Sequence, residues 1–139
     1  MKKLSIFTLL LLLFGMFNAC EEEKENLLLG KWSFVVYTYE IYESSTLVDS
    51  GSSTEGPFIY LEFLKGGDGI VTFDEFESDT FAWEKDGKKV LVDEGTENEQ
   101  NITIVTLTKS TLIFTMTMTM QEGDTTYTMN QTMTMARVD

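Results

Sequence analysis

The chain has 139 residues, no histidine, one cysteine and a formal net charge of −13 at pH 7. Because it has no histidine and only one cysteine, Cys20, it cannot carry Ser-His or Cys-His nucleophiles or ordinary zinc sites. The negative charge disfavours a nucleic-acid partner, because phosphate backbones are bound mainly through basic side chains.

The first nineteen residues have the composition of an export signal. Lys2 and Lys3 form a positive start, and an apolar run follows from Leu4 to Phe14. A membrane-spanning helix needs roughly 20 apolar residues, so this run is too short and predicts a cleaved signal peptide over residues 1–19. Cleavage would change the net charge from −13 to −15 and leave residues 20–139, a usual size for one domain.

The cysteine stands directly after this segment. Phe17-Asn18-Ala19-Cys20 resembles the lipobox of bacterial lipoproteins, with Phe17 where the family usually has leucine. The resemblance implies that Cys20 becomes the new N-terminus and that its sulfur is lipidated, which would anchor the chain to a lipid bilayer. The alternative is an ordinary secreted protein with a free thiol.

Acidic residues follow the cysteine at once. In the tether, residues 20–26, Cys20 is followed by EEEKEN, whose low hydrophobicity and like charge predict a solvated spacer. This segment also resembles the acidic export signal of lipoproteins from Bacteroidota. The resemblance implies an outer-membrane lipoprotein whose domain faces the periplasm or the cell surface.

Residues 27–139 are predicted to form one all-β domain. They contain many Thr, Val, Ile, Tyr and Phe residues, and glycine or acidic clusters interrupt them at short intervals. Short turns between sequential strands favour a small eight-stranded antiparallel up-and-down barrel over the alternative of an open sandwich. A long polar connection is expected over residues 44–56. The expected strands are 31–43, 58–65, 70–76, 80–85, 88–93, 102–108, 111–120 and 125–138.

Methionine and threonine alternate in the last two predicted strands. Residues 111–120 are TLIFTMTMTM and residues 128–135 are TMNQTMTM, so each strand places its methionines on one face and most threonines on the other. With a two-residue turn at 122–123, Met116 would lie opposite Met129. A slip by one residue would turn the methionines to solvent, so we expect this register to be strongly specified.

The methionine face leaves two alternatives open. Flexible thioethers suit surfaces that adapt to varied apolar partners, which predicts a cavity for a small hydrophobic ligand, whereas the simpler alternative is a solid core. A void of roughly 300 Å³ or more would distinguish the two. The residues expected to line the ligand site are Leu112, Phe114, Met116, Met118, Tyr127, Met129 and Met133.

Metal sites are a weaker interpretation of the same residues. Alternate methionines could bind Cu(I) through sulfur, and Asp68 with its neighbouring glycines could imitate a calcium loop. The first site lacks histidine and cysteine ligands, and the second lacks further carboxylates at the required spacing. We therefore expect no metal and no cofactor.

Two motifs mark the ends of the predicted domain. Gly30-Lys31-Trp32 stands at the first strand and Arg137 in the last. This pattern resembles that of the lipocalins, in which a Gly-x-Trp motif closes the barrel floor and a basic residue near the C-terminus packs over the tryptophan. The run LLLGKW, with YLEF, FAWEKDGKKV and ITIVTLTKSTLIF, looks like the lipocalin-like domains of Bacteroidota lipoproteins. The resemblance implies a structural role for Gly30, Trp32 and Arg137 and a small apolar ligand.

Together these features predict a membrane-anchored, extracytoplasmic lipoprotein that binds a small hydrophobic ligand as a monomer. Paired carboxylates could in principle catalyse, but on a small acidic domain they are more often a solvated surface, so we expect a protein that is not an enzyme. The alternative function is a solid barrel that binds a protein or glycan partner. Its candidate surfaces are the connection over residues 44–56 and the exposed threonines.

Overall fold

A computed structural model describes residues 27–139, which form an all-β domain. The predicted signal peptide, the lipidation site Cys20 and the acidic tether lie outside the described residues. Nine strands follow one another along the chain: β1 (Gly30–Glu43), β2 (Thr46–Ser53), β3 (Tyr60–Phe63), β4 (Asp68–Thr72), β5 (Ser78–Asp86), β6 (Lys89–Val92), β7 (Gln100–Leu107), β8 (Thr111–Glu122) and β9 (Thr125–Arg137).

The sheet closes on itself through its first and last strands. Its strand order is β2-β1-β3-β4-β5-β6-β7-β8-β9, all neighbours are antiparallel, and β1 also pairs with β9. Eight strands therefore form a closed barrel, as predicted, and closure removes the unpaired edges that an open sandwich would leave. Within residues 27–139, no helix is long and apolar enough to cross a membrane.

The ninth strand, β2, lies outside the barrel. The first residues of β1, Gly30–Ser33, pair with β3, whereas its later residues, Tyr37–Glu43, pair with β2 on the same edge. The prediction that residues 44–56 form a long polar connection was wrong over Thr46–Ser53, since the chain turns tightly at Ser44, which has φ +56°, and continues as a hairpin. β2 is polar and largely exposed, so it lacks the apolar alternation that marks a strand in sequence.

The β8–β9 hairpin has a register that differs from the predicted one by two residues. The turn is formed by Gly123 and Asp124, so Met118, and not Met116, lies opposite Met129. Gly123 has φ +60°, and a positive φ at the first turn position is what a type II′ hairpin requires. Because side chains alternate with period two, a shift of two residues leaves every side chain on its predicted face.

The strands define two ends of the barrel. We call the floor the end that holds Trp32, the β3–β4 turn and the β7–β8 turn, and the mouth the end that holds the connections over residues 73–77 and 93–99. The most deeply buried large side chains lie at the floor: Trp32, Leu28, Leu112, Met135 and Val90. Burial of each such side chain contributes about 1.5–3 kcal/mol, so packing stabilises this closed end.

Candidate ligand-binding cavity

The floor is built around Trp32, which is fully buried. Its indole Nε1 donates a hydrogen bond to the carbonyl oxygen of Leu28 at 2.9 Å, which satisfies the polar atom of the ring and ties the segment before β1 across the floor. The guanidinium carbon of Arg137 lies 4.2 Å from the centre of the Trp32 ring, in a cation–π contact. The residues implied by the lipocalin resemblance therefore meet at this end of the barrel.

Arg137 also connects three chain segments at the floor. Its Nε donates to the carbonyl of Lys109 at 2.7 Å and its Nη1 to the carbonyl of Leu29 at 2.8 Å, while Nη2 donates to the carbonyl of Leu27. Gly30 makes room for this side chain, because a Cβ there would lie 2.6 Å from Nη1. The backbone at Gly30 also has φ +117°, a value that residues other than glycine rarely adopt.

Above the floor, the barrel encloses a cavity of about 520 Å³ that opens at the mouth. This volume falls within the range of small-molecule sites, roughly 300–1,000 Å³, and exceeds the threshold that separates a ligand cavity from a solid core. Apolar side chains from seven strands, from the segment before β3 and from the connection after β4 form its wall. They are Pro57, Phe58, Leu61, Phe63, Val71, Phe73, Phe81, Val92, Ile102, Phe114, Met116, Met118 and Met133.

Polar residues form the rim of the cavity. On three strands that run from mouth to floor, the inward position at the rim is polar and the next two are apolar: Asp79 precedes Phe81 and Trp83, Gln100 precedes Ile102 and Ile104, and Gln131 precedes Met133 and Met135. Thr80 also reaches the rim, as do Asp93 and Asn98 from the connection between β6 and β7. The site therefore has an apolar interior and a polar opening.

Four of the seven residues predicted to line the site lie on the cavity wall: Phe114, Met116, Met118 and Met133. Leu112 faces the same interior but is buried at the floor, one inward position below Phe114. It packs in the core and does not border the cavity.

Tyr127 and Met129 do not border the cavity either, although they occupy the inward face of β9. The reason is the length of the last hairpin. β7 pairs with β8 only as far as Met116, so the later residues of β8 and their partners on β9 extend past β7, with Met118 at the limit of the cavity wall. Tyr127 and Met129 lie on this projecting part, where Met118 and Met120 are 43% and 40% exposed.

The wall contributed by β3 to β7 was not predicted from the sequence. Phe63, Phe81 and Trp83 pack there edge to face, with ring centroids 5.7 Å apart for Phe63 and Phe81 and 5.3 Å for Phe63 and Trp83. The alternation in YLEF, TFAW and NITI carried this signal, since each places apolar residues on one face. The polar rim residue Gln131 was missed as well, although it interrupts the methionine face of β9.

The polar groups of the site are at least partly exposed at its rim. Among residues 27–139, no buried side-chain nitrogen or oxygen lacks a hydrogen-bond partner and no polar residue is buried. The same part of the chain holds no group of three acidic, histidine or cysteine side chains that could bind a metal ion. The amide of Gln131 donates to the sulfur of Met129 at 3.1 Å and leaves its carbonyl oxygen available at the rim.

No family model, curated protein sequence or solved structure shows significant similarity to the chain.

Proposed function

We propose that the barrel binds a small, mostly apolar molecule without catalysis, as a lipocalin-like domain. The observation that supports this function is the cavity of about 520 Å³, which has an apolar wall, a polar rim and an opening at one end. The alternative of a solid barrel that acts through its outer face is less well supported. A well-packed interior contains few voids larger than a water molecule, whereas this cavity is many times larger than that.

The proposal includes a cellular location for the domain. The signal-like residues 1–19, the lipobox-like sequence before Cys20 and the acidic tether support an outer-membrane lipoprotein that faces the periplasm or the cell surface. Replacement of Cys20 by serine in the full chain should move the protein from the membrane fraction to the soluble fraction and abolish metabolic labelling with an alkyne fatty acid. Unchanged labelling of the Cys20→Ser chain would contradict lipidation at this position.

Binding can be tested with N-phenyl-1-naphthylamine, a neutral probe that fluoresces in apolar surroundings. A chain that begins at Glu21 is suitable, because all nine strands and the floor contacts lie within residues 27–139. We expect saturable binding with one site. Absence of saturable binding by a folded chain would overturn the proposal.

A matched pair of variants assigns the binding to the interior. Met116→Trp places a larger side chain in the cavity and should weaken probe binding at least about tenfold, since the added volume competes with the ligand. Thr119→Trp makes the same kind of change on the outward face of the same strand and should leave affinity within about twofold. Met118→Trp, at the more exposed end of the wall, serves if Met116→Trp does not fold. Equal effects of the inward and outward changes would contradict an interior site.

A further inference from the structure

The charged residues of the barrel are separated by sign between its two ends. All the basic side chains of residues 27–139 lie on the floor half of a strand or in a floor turn: Lys31, Lys65, Lys85, Lys88, Lys89, Lys109 and Arg137. Five acidic residues share this end: Glu62, Asp68, Glu84, Asp86 and Asp139. The floor therefore carries nearly balanced charge.

The mouth and the strands that project beyond it are acidic throughout. The remaining carboxylates of the described chain all lie there: Glu40, Glu43, Asp49, Glu55, Asp74, Glu75, Glu77, Asp79, Asp93, Glu94, Glu97, Glu99, Glu122 and Asp124. Charge of one sign around an apolar opening produces a strong local potential, which attracts ligands of the opposite sign and repels those of the same sign. The cavity opens into this negative region.

The charge extends to the rim of the cavity itself. Asp79 and Asp93 are the charged residues that border it, and no lysine or arginine does. Asp79 continues the inward face of β5, and the backbone N–H of Ala82 donates to Asp93 Oδ1 at 2.8 Å, which fixes the position of that carboxylate. Both carboxylates therefore lie where the polar end of a bound ligand would emerge.

Two aromatic rings accompany these carboxylates at the mouth. Phe58 and Phe73 both border the cavity, and Phe73 is 41% exposed. Aromatic faces attract cations, and quaternary ammonium groups are often held by aromatic rings together with carboxylates. The aromatic rings and the carboxylates at the mouth therefore both favour a positively charged ligand group.

Building on the proposed function, we infer that the cavity takes an amphiphile with an apolar body and a cationic head group and discriminates against anionic amphiphiles such as fatty acids. The apolar body would occupy the interior, where burial of its surface provides the affinity. The ammonium head would lie at the rim, within reach of Asp79 and Asp93. A carboxylate head at the same position would meet like charges with no basic residue to offset them.

Three ligands with the same alkyl chain test this inference. Decyltrimethylammonium, decanol and decanoate would each be titrated, below micelle formation, as competitors of bound N-phenyl-1-naphthylamine. At low ionic strength we expect decyltrimethylammonium to bind at least about tenfold more tightly than decanoate, with decanol between them. The ratio should fall towards about twofold in 0.5 M salt, because salt screens the rim charges.

Paired charge variants localise the effect. Asp79→Asn with Asp93→Asn keeps the side-chain oxygens that accept backbone hydrogen bonds and should lower the cation-to-anion affinity ratio several-fold. Glu84→Gln with Asp86→Asn removes the same charge at the floor and should leave the ratio unchanged. Asp79→Asn alone serves if the double mouth variant does not fold.

The outcomes separate this inference from the proposed function. Equal affinity for the cationic and anionic ligands, or tighter binding of decanoate, would overturn the inference while saturable binding of the neutral probe still supported the cavity. An equal loss of the ratio in the mouth and floor variants would overturn the role of the rim carboxylates. Failure of every ligand, including the neutral probe, would overturn both.

Discussion

The side chain of Arg137 covers the buried ring of Trp32, with 4.2 Å between the guanidinium carbon and the ring centre. The two residues lie on β9 and β1, which are the strands that close the barrel, and their backbones are paired at this point. The contact therefore fastens the end of the chain to its first strand.

We predict that Arg137→Ala destabilises the domain by about 2–4 kcal/mol. The change removes the cation–π contact and leaves the carbonyls of Leu27, Leu29 and Lys109 without their charged donor. Urea unfolding followed by tryptophan fluorescence measures the loss. Arg137→Lys keeps the charge but cannot reach all three carbonyls, so its loss should be about half as large. Equal stability of Arg137→Ala and the unchanged chain would show that the floor does not depend on this contact.

Gly30→Ala should also destabilise the floor, by about 2–3 kcal/mol. The backbone at Gly30 has φ +117°, and the added Cβ would collide with Arg137 Nη1. Gly87→Ala is a suitable control, since Gly87 also has a positive φ, +60°, but has no atom within 4 Å of the added Cβ. The unfolding free energy of the control should fall by only about 1 kcal/mol, which is the cost of placing alanine in a left-handed backbone conformation. The difference between the two unfolding free energies reports the collision together with the greater backbone strain at φ +117°.

A second glycine shapes the cavity wall. Gly69 pairs with Phe81 across β4 and β5, and the Phe81 ring lies over it where a Cβ would stand. Gly69→Ala should force the ring to move towards the cavity, which costs about 1–3 kcal/mol by overpacking and weakens binding of N-phenyl-1-naphthylamine. Thermal unfolding and probe titration measure the two effects. A variant that binds the probe as tightly as the unchanged chain would place the Phe81 ring outside the binding site.

Much of the fold could be predicted because strand alternation depends on local sequence. The inward positions of β8 and β9, from Leu112 to Met116 and from Met133 to Met135, follow from parity, and parity survived the error in the hairpin register. β2 could not be predicted, because its polar residues are exposed on both faces and the strand is held only by pairing with β1. Edge strands of this kind depend on tertiary context.

The candidate site was predicted less completely than the fold. Alternation identified Phe114, Met116, Met118 and Met133 but also included Tyr127 and Met129, which project beyond the wall. The pairing of β7 with β8 ends at Met116, close to the limit of the cavity wall, and the sequence does not show where that pairing ends. The separation of charge between mouth and floor could not be predicted either, because it appears only when each turn has been assigned to one end of the barrel.

Methionine methyl signals provide the most direct test of an interior binding site. A chain that begins at Glu21 contains six methionines, of which Met116, Met118 and Met133 border the cavity and Met120, Met129 and Met135 do not. In a titration with N-phenyl-1-naphthylamine followed by methyl nuclear magnetic resonance, we expect saturable shifts of the first three signals, caused by the nearby aromatic ring, and small shifts of the others. Absence of shifts, or shifts confined to Met120 and Met129, would contradict binding inside the barrel.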